Sequence, residues 1–200
     1  DVGAGGEIAI PAWALAFNDS DPDTIDHLAV NSIVSSTGGS ASPFLGFVLF
    51  DDDATPDGSF TYNSTDGIAT SANNATATVV NNATSATVLN GTSGDDVIIA
   101  TNGTETLNGG GGNDVLIGNS GSHTMTGGTG NDAFAFLSSS NGPGNILDFN
   151  NTTETDHIVI SANGFGGGLT AGQDVSSAFE SSGDDQFSGF GAVFHFDSGN

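Results

Sequence analysis

The chain of 200 residues holds 24 Asp and Glu, no Lys or Arg and no Cys, for a formal net charge of −24, with 36% apolar residues including 14 Phe. Without cations there can be no Lys or Arg salt bridge, nucleic acid and anionic membrane surfaces are poor partners, and without Cys neither disulfides nor zinc–thiolate sites are available. Two carboxylates ~4 Å apart repel by roughly 4 kcal/mol at an effective dielectric of 20, so hydrogen-bond donors, an occasional His⁺ or bound metal must offset the charge, and metal is the strongest candidate.

The apolar content is enough to bury a modest core. No apolar run reaches the ~18 residues of a membrane-spanning helix; "AIPAWALAF" and "FLGFVLF" are of strand length. The sequence opens at Asp1 with no Met and no basic leader, and we expect it to be a piece of a longer protein.

Residues 1–88 predict short strands separated by Gly, Asn, Asp, Ser and Thr, with alternation in "GEIAIPAWAL", "GSFTYN" and "ATATVV", the rhythm of a β-sandwich. Trp13, beside Pro11, is expected as a core residue and not as a ligand platform. "DDDATPDG", with Asp51, Asp52, Asp53 and Asp57, is expected as a solvated hairpin tip, with a metal site as the alternative. "NDSDPDTID" gathers Asn18, Asp19, Asp21, Asp23 and Asp26, and either calcium or an Asx-rich turn accounts for it. This loop, the later "GSFTY" and Asp66-Gly67 resemble cadherin-like and VCBS-type bacterial repeat domains, although the "GD" that such domains carry after the loop is missing.

"NNATSATVLN" leads into a segment of period nine. The units "GTSGDDVII", "ATNGTETLN", "GGGGNDVLI", "GNSGSHTMT" and "GGTGNDAFA" fill residues 91–135 without a gap. The fourth position is always glycine (Gly94, Gly103, Gly112, Gly121, Gly130) and the eighth always large and apolar (Ile98, Leu107, Leu116, Met125, Phe134). Odd units carry Asp96, Asp114 and Asp132 at the sixth position, whereas even units carry Glu105 and His123 there.

The pattern is that of the G-G-x-G-x-D-x-U-x nonapeptide of calcium-binding β-helices and resembles the RTX (repeats-in-toxin, haemolysin-type) family. The resemblance implies six residues of turn and three of strand per unit, two units per coil of a parallel β-roll, and calcium between turns 18 residues apart. Calcium takes six to eight hard oxygens, and glycine-rich turns can present alternating carbonyls. One ion is expected between Asp96 and Asp114, with carbonyls from Gly91, Ser93, Gly110 and Gly112, and another between Asp114 and Asp132, with Gly109, Gly111, Gly128 and Gly130. The plainer alternative is a metal-free solenoid whose Asp side chains only solvate its turns. No ion is expected on the even edge, because Glu105 is one methylene too long and His123 offers nitrogen.

After Phe136, Asp148-Phe149 and "DHIVIS" resemble the exit from such rolls, and Gly144 stands where relatives often have another Asp. The remainder is expected as a β-rich cap whose last strand, "AVFHFD", has no return partner. The chain therefore divides into a sandwich over 1–88, a calcium roll over 89–149 and a cap over 150–200, all-β throughout. His27, His123, His157 and His195 are expected in packing or surface roles.

No H-E-x-x-H, G-x-S-x-G or lysine-bearing phosphate loop is present, so no enzyme is expected within these residues. The resemblance implies a secreted, calcium-binding structural or adhesive module, exported unfolded by type I machinery and folded by external Ca2+. A calcium-dependent tail of a secreted hydrolase or toxin, and a subunit of an extracellular filament or surface layer self-associating through sheet edges, are the two alternatives. A cell-surface ligand is a further possible partner for the adhesive reading.

Overall fold

A computed structural model describes residues 6–17, 28–53, 57–71, 74–80, 87–100, 103–118, 121–137, 144–150, 153–161, 179–182 and 194–197, and its elements are all but one β-strands. The first part holds β1 (Glu7–Pro11), α1 (Ala12–Leu15), β2 (Ala29–Thr37), β3 (Gly39–Phe44), β4 (Phe47–Asp52), β5 (Asp57–Thr65) and β6 (Ala75–Val80). They form two antiparallel sheets, ordered β1-β4-β3 and β2-β5-β6. Ile10, Val48 and Phe50 of the first sheet meet Phe60, Tyr62 and Val79 of the second in one buried core. The Phe50 ring lies on Gly39 and Gly58, where any Cβ would overlap it.

Two expectations change here. "GEIAIPAWAL" is not one strand: β1 stops at Pro11, and Ala12–Leu15 turns into a short helix. Proline has no amide with which to extend a ladder, and its φ of −59° suits the entry to a helix. The Tyr62 hydroxyl holds that helix by donating to the Leu15 carbonyl at 2.7 Å. "DDDATPDG" is not a hairpin tip, because β4 and β5 belong to different sheets. At Asp66 one carboxylate oxygen accepts from Ala69 N–H at 2.6 Å and Ile68 N–H at 2.7 Å, and these bonds lower its pKa.

The second part winds through β7 (Val88–Asn90), β8 (Val97–Ile99), β9 (Thr106–Gly111), β10 (Val115–Gly118), β11 (His123–Thr129), β12 (Ala133–Phe136), β13 (Gly144–Ile146) and β14 (His157–Ile160). Successive strands alternate between two parallel sheets, ordered β13-β11-β9-β7 and β14-β12-β10-β8. Met125 pairs with Leu107 and Phe134 with Leu116, a register of 18 residues, so two nonapeptides complete a coil. The eighth-position residues Ile98, Leu107, Leu116, Met125 and Phe134 fill the space between the sheets, with Leu89 at the start.

The outer faces of the two sheets differ. Even units place Thr106, Asn108, Thr124 and Thr126 outside, all half-buried polar residues. Odd units place Val97, Ile99, Val115, Ile117, Ala133 and Ala135 outside, and that face packs with Trp13, Ala14 and Phe17 around α1. Strands buried on both faces read as continuous apolar runs, which "DVII" and "NDVLI" do.

The parallel stack also runs beyond residue 149, since β14 pairs with β12 in register from Ala133↔His157 to Phe136↔Ile160. Farther along, β15 (Phe179–Ser182) and β16 (Phe194–Asp197) pair in parallel. The last strand was expected to have no partner; β15 supplies one, through a parallel crossover that no local turn signal announces.

Candidate metal centre

The site grows out of the fifth and sixth positions of the odd units. Two of the sixth-position carboxylates accept a hydrogen bond from the matching amide one coil earlier: Asp96 N–H donates to Asp114 Oδ1 at 2.9 Å and Asp114 N–H to Asp132 Oδ1 at 2.9 Å. The fifth position runs the other way. Asn113 N–H donates to Asp95 Oδ1 at 2.5 Å, Asn131 N–H to Asn113 Oδ1 at 2.9 Å, and Thr155 N–H to Asn131 Oδ1 at 2.7 Å. Asp114 and Asp132 are fully buried by this stacking, with 0% and 1% exposure.

Asp114 and Asp132 each give one oxygen to this ladder, while Asp96 Oδ2 accepts from Thr92 N–H at 2.6 Å and the Thr92 hydroxyl at 3.0 Å. Asp114 Oδ2 is buried with no hydrogen-bond partner among the described residues. An unpaired buried polar atom is costly, and burial pushes the Asp114 carboxyl up to about 7; repulsion from Asp132, Asp96 and Asp95 adds to this, while the Asp96 amide opposes it. Asp132 is raised as well, first by burial and then by Asp156, Asp148 and Glu154.

Carbonyl oxygens gather where the second carboxylate oxygens lie. A Cβ on Gly109 would collide with both Asp114 Oδ2 and the Gly127 carbonyl oxygen. A Cβ on Gly91 would meet Asp96 Oδ2 and the Gly109 carbonyl oxygen, and one on Gly127 would meet Asp132 Oδ2. The first glycine of each odd unit therefore leaves a cradle lined by hard oxygens of two coils. Among the described residues no three His, Cys, Asp or Glu side chains converge on one point, so the main chain must supply much of any coordination shell. An orphan carboxylate oxygen, converging carbonyls and an all-oxygen donor set fit calcium and not a softer metal.

The direction of the carbonyls is opposite to the expected one. The expectation aimed Gly91 and Ser93 at the next coil, and Gly110 and Gly112 at the preceding one. In the structure the Gly109 oxygen lies against Gly91 and the Gly127 oxygen against Gly109, toward the preceding coil. The Thr92 oxygen lies against Gly110, Gly110 oxygen against Gly128 and Gly112 oxygen against Gly130, toward the next. Thr129 closes backward, accepting from Gly112 N–H at 2.9 Å. The cause is local. Asn108 already points its carbonyl backward, to Gly91 N–H at 2.8 Å, and the peptide after Gly109 turns to the same side, with positive φ at Gly110 (111°) and Gly128 (106°). Two consecutive carbonyls on one side shift the alternation by one residue, and only glycine accepts that backbone readily. The layer between Asp96 and Asp114 is thus faced by Thr92 and Gly109, and the layer between Asp114 and Asp132 by Gly110, Gly112, Gly127 and Thr129.

Three acidic residues extend the site beyond those singled out. Asp156 continues the ladder as a fourth rung, accepting from Asp132 N–H at 3.0 Å, and its other oxygen accepts from Asn150 N–H at 2.8 Å. Asp148 takes Gly127 N–H at 3.0 Å and Gly128 N–H at 2.8 Å, and Glu154 takes Gly130 N–H at 3.2 Å. Carboxylates therefore close the last odd turn. Spacing hid Asp156, which stands 24 residues after Asp132 and so outside the period; the Asp148-Phe149 pair was the available signal.

On the even edge, Glu105 and His123 are buried together, with Nδ1 and Oε2 3.4 Å apart. An internal His–Glu contact thus occupies the edge that lacks the Asp ladder. Asn18, Asp19, Asp21, Asp23 and Asp26 lie outside the described residues.

The same segment is matched by a family model for the RTX calcium-binding nonapeptide repeat in four copies, over residues 84–116 and 99–134. The coils are similar to that repeat over residues 84–134, well under half of the chain. The search of curated proteins and the search of solved structures each return no match. The match spans Asp96, Asp114, Asp132 and the Glu105–His123 edge and ends at residue 134, before the closing carboxylates.

Proposed function

We propose that this chain is a calcium-loaded structural and adhesive module of a secreted bacterial RTX-type protein, completed by external Ca2+ and without catalysis of its own. The reading divides the chain into a cadherin-like sandwich over 1–88, a parallel β-roll and a β-rich cap. The observation that carries it is the orphan Asp114 Oδ2 in an oxygen-lined cradle between stacked turns. Asp96, Asp114 and Asp132, with carbonyls of Thr92, Gly109, Gly110, Gly112 and Gly127, would hold the ions. Calcium supplies there the positive charge that a chain of −24 with no Lys or Arg lacks.

RTX repeats occur in secreted bacterial proteins, which supports an extracellular location and export before folding. A ligand that binds only the folded state stabilises it by about 2.7 kcal/mol at a hundred times its Kd. Calorimetry of the protein in millimolar calcium and after chelation tests the reading, together with a count of bound metal per chain. A raised melting transition with bound calcium is expected; an unchanged transition with no metal retained would reject it.

A further inference from the structure

The two antiparallel sheets meet the coils across a cleft of about 560 Å³, a volume within the roughly 300–1,000 Å³ of ligand sites. The sheets are joined through β2 and β3 on one side; on the other, β1 and β6 are their edge strands. That open side faces the first coil, where β7 and β8 end their own sheets. Ile8 and Ile10 of β1, Val97 of β8 and Leu89 of β7 line the cleft.

β6 enters the cleft differently from its neighbours. Ala75, Thr76, Ala77, Thr78 and Val79 all line it in succession, so the cleft meets the backbone edge of the strand and not only one face. On its far side β6 pairs with no described strand. Its inward residues Ala75 and Ala77 are small and leave room that larger core residues would fill. Asp95 and Asp96 stand at the same cleft.

We propose that this cleft receives an extended peptide segment of another protein, which adds as a strand to β6, seats alternate apolar side chains on the Ile8, Ile10 and Val97 floor, and turns a Lys or Arg to Asp95. Edge strands are templates for such addition, with main-chain bonds supplying affinity and alternate pockets specificity. The charge argues for a different protein and against a second copy of this chain, which has no cation to offer. The inference rests on the edge and the cleft, and is independent of the calcium reading.

The test uses the full chain in saturating calcium at physiological salt and the probe acetyl-Val-Lys-Val-Thr-Val-amide, followed by titration calorimetry and amide hydrogen exchange. Saturable one-to-one binding is expected, with exchange slowed along Ala75–Val79. Replacing the probe's Lys by Glu, or methylating its alternate amide nitrogens, is expected to weaken binding by about tenfold or more. Ala77→Phe, checked for an unchanged fold by its melting transition, should abolish binding; the exchange pattern of the unaltered protein stands should that variant not fold. No saturation at millimolar probe, equal affinity for the methylated probe, or concentration-dependent dimerisation that protects the same amides would each overturn the proposal.

Discussion

Asp114 sets the behaviour of the metal-free protein. Its carboxyl titrates near 7 when folded, mainly through burial, against about 3.9 in an unfolded chain. The folded state therefore binds this proton more tightly, and between these two values stability falls as pH rises. Metal-stripped protein is expected to melt higher at pH 5.5 than at pH 8, measured by calorimetry, and calcium should flatten or reverse that trend by competing with the proton. Asp114→Asn should reduce the pH trend, leaving the part that the raised Asp132 carboxyl contributes, and should remove most of the calcium-induced rise, which a melting series with and without calcium would show. The glycines act at the same scale. Gly110→Ala places a Cβ against the Thr92 carbonyl at a φ of 111° and should cost about 2 kcal/mol in urea unfolding. Gly46→Ala, at a φ of 86° with open space around it, should cost less.

The two edges of the coils solve one electrostatic problem in different ways. On the odd edge, buried carboxylates stack coil over coil and one oxygen stays unbonded. On the even edge, Glu105 faces His123 at 3.4 Å and both are buried. Removing one partner of a buried polar contact leaves the other unsatisfied, at about 1–3 kcal/mol, whereas replacing both by apolar groups of similar shape can be nearly neutral. His123→Ala should therefore destabilise, and a double substitution of Glu105 and His123 by Leu should recover most of the loss, as read from denaturant midpoints. Calcium affinity should change little in the double variant, because the ion ladder lies on the opposite edge.

Across the whole molecule, α1 links the N-terminal sheets to the coils. Trp13, the chain's one tryptophan, packs with Ala14 and Phe17 on the apolar outer face of the odd-unit strands. If calcium completes those coils, it also completes the surface on which Trp13 rests. Adding calcium to chelated protein should shift the tryptophan emission to shorter wavelength, along the same titration curve as the gain in β circular dichroism. A Trp13 signal that is indifferent to calcium would separate the two parts energetically.

The period of nine, the glycine column and the apolar column were legible in the linear sequence because each expresses a local need: backbone freedom at a turn, or a side chain directed into the coil. They were enough for the 18-residue stacking, the buried Leu107, Leu116, Met125 and Phe134, and the ladder of Asp96, Asp114 and Asp132. The continuous apolar character of "DVII" and "NDVLI" also marked the covered face, although the partner that covers it could not be read from it. What tertiary structure alone decided depends on neighbours in space. The carbonyl phase follows from a flipped peptide after Gly109, Asp156 joins the ladder from outside the period, Glu105 meets His123 between coils, and α1 lands on the odd-unit sheet. Asp156 and α1 stand outside the period, and although Glu105 and His123 keep the 18-residue spacing, their contact and the carbonyl phase are set by which atoms the stacking brings within reach.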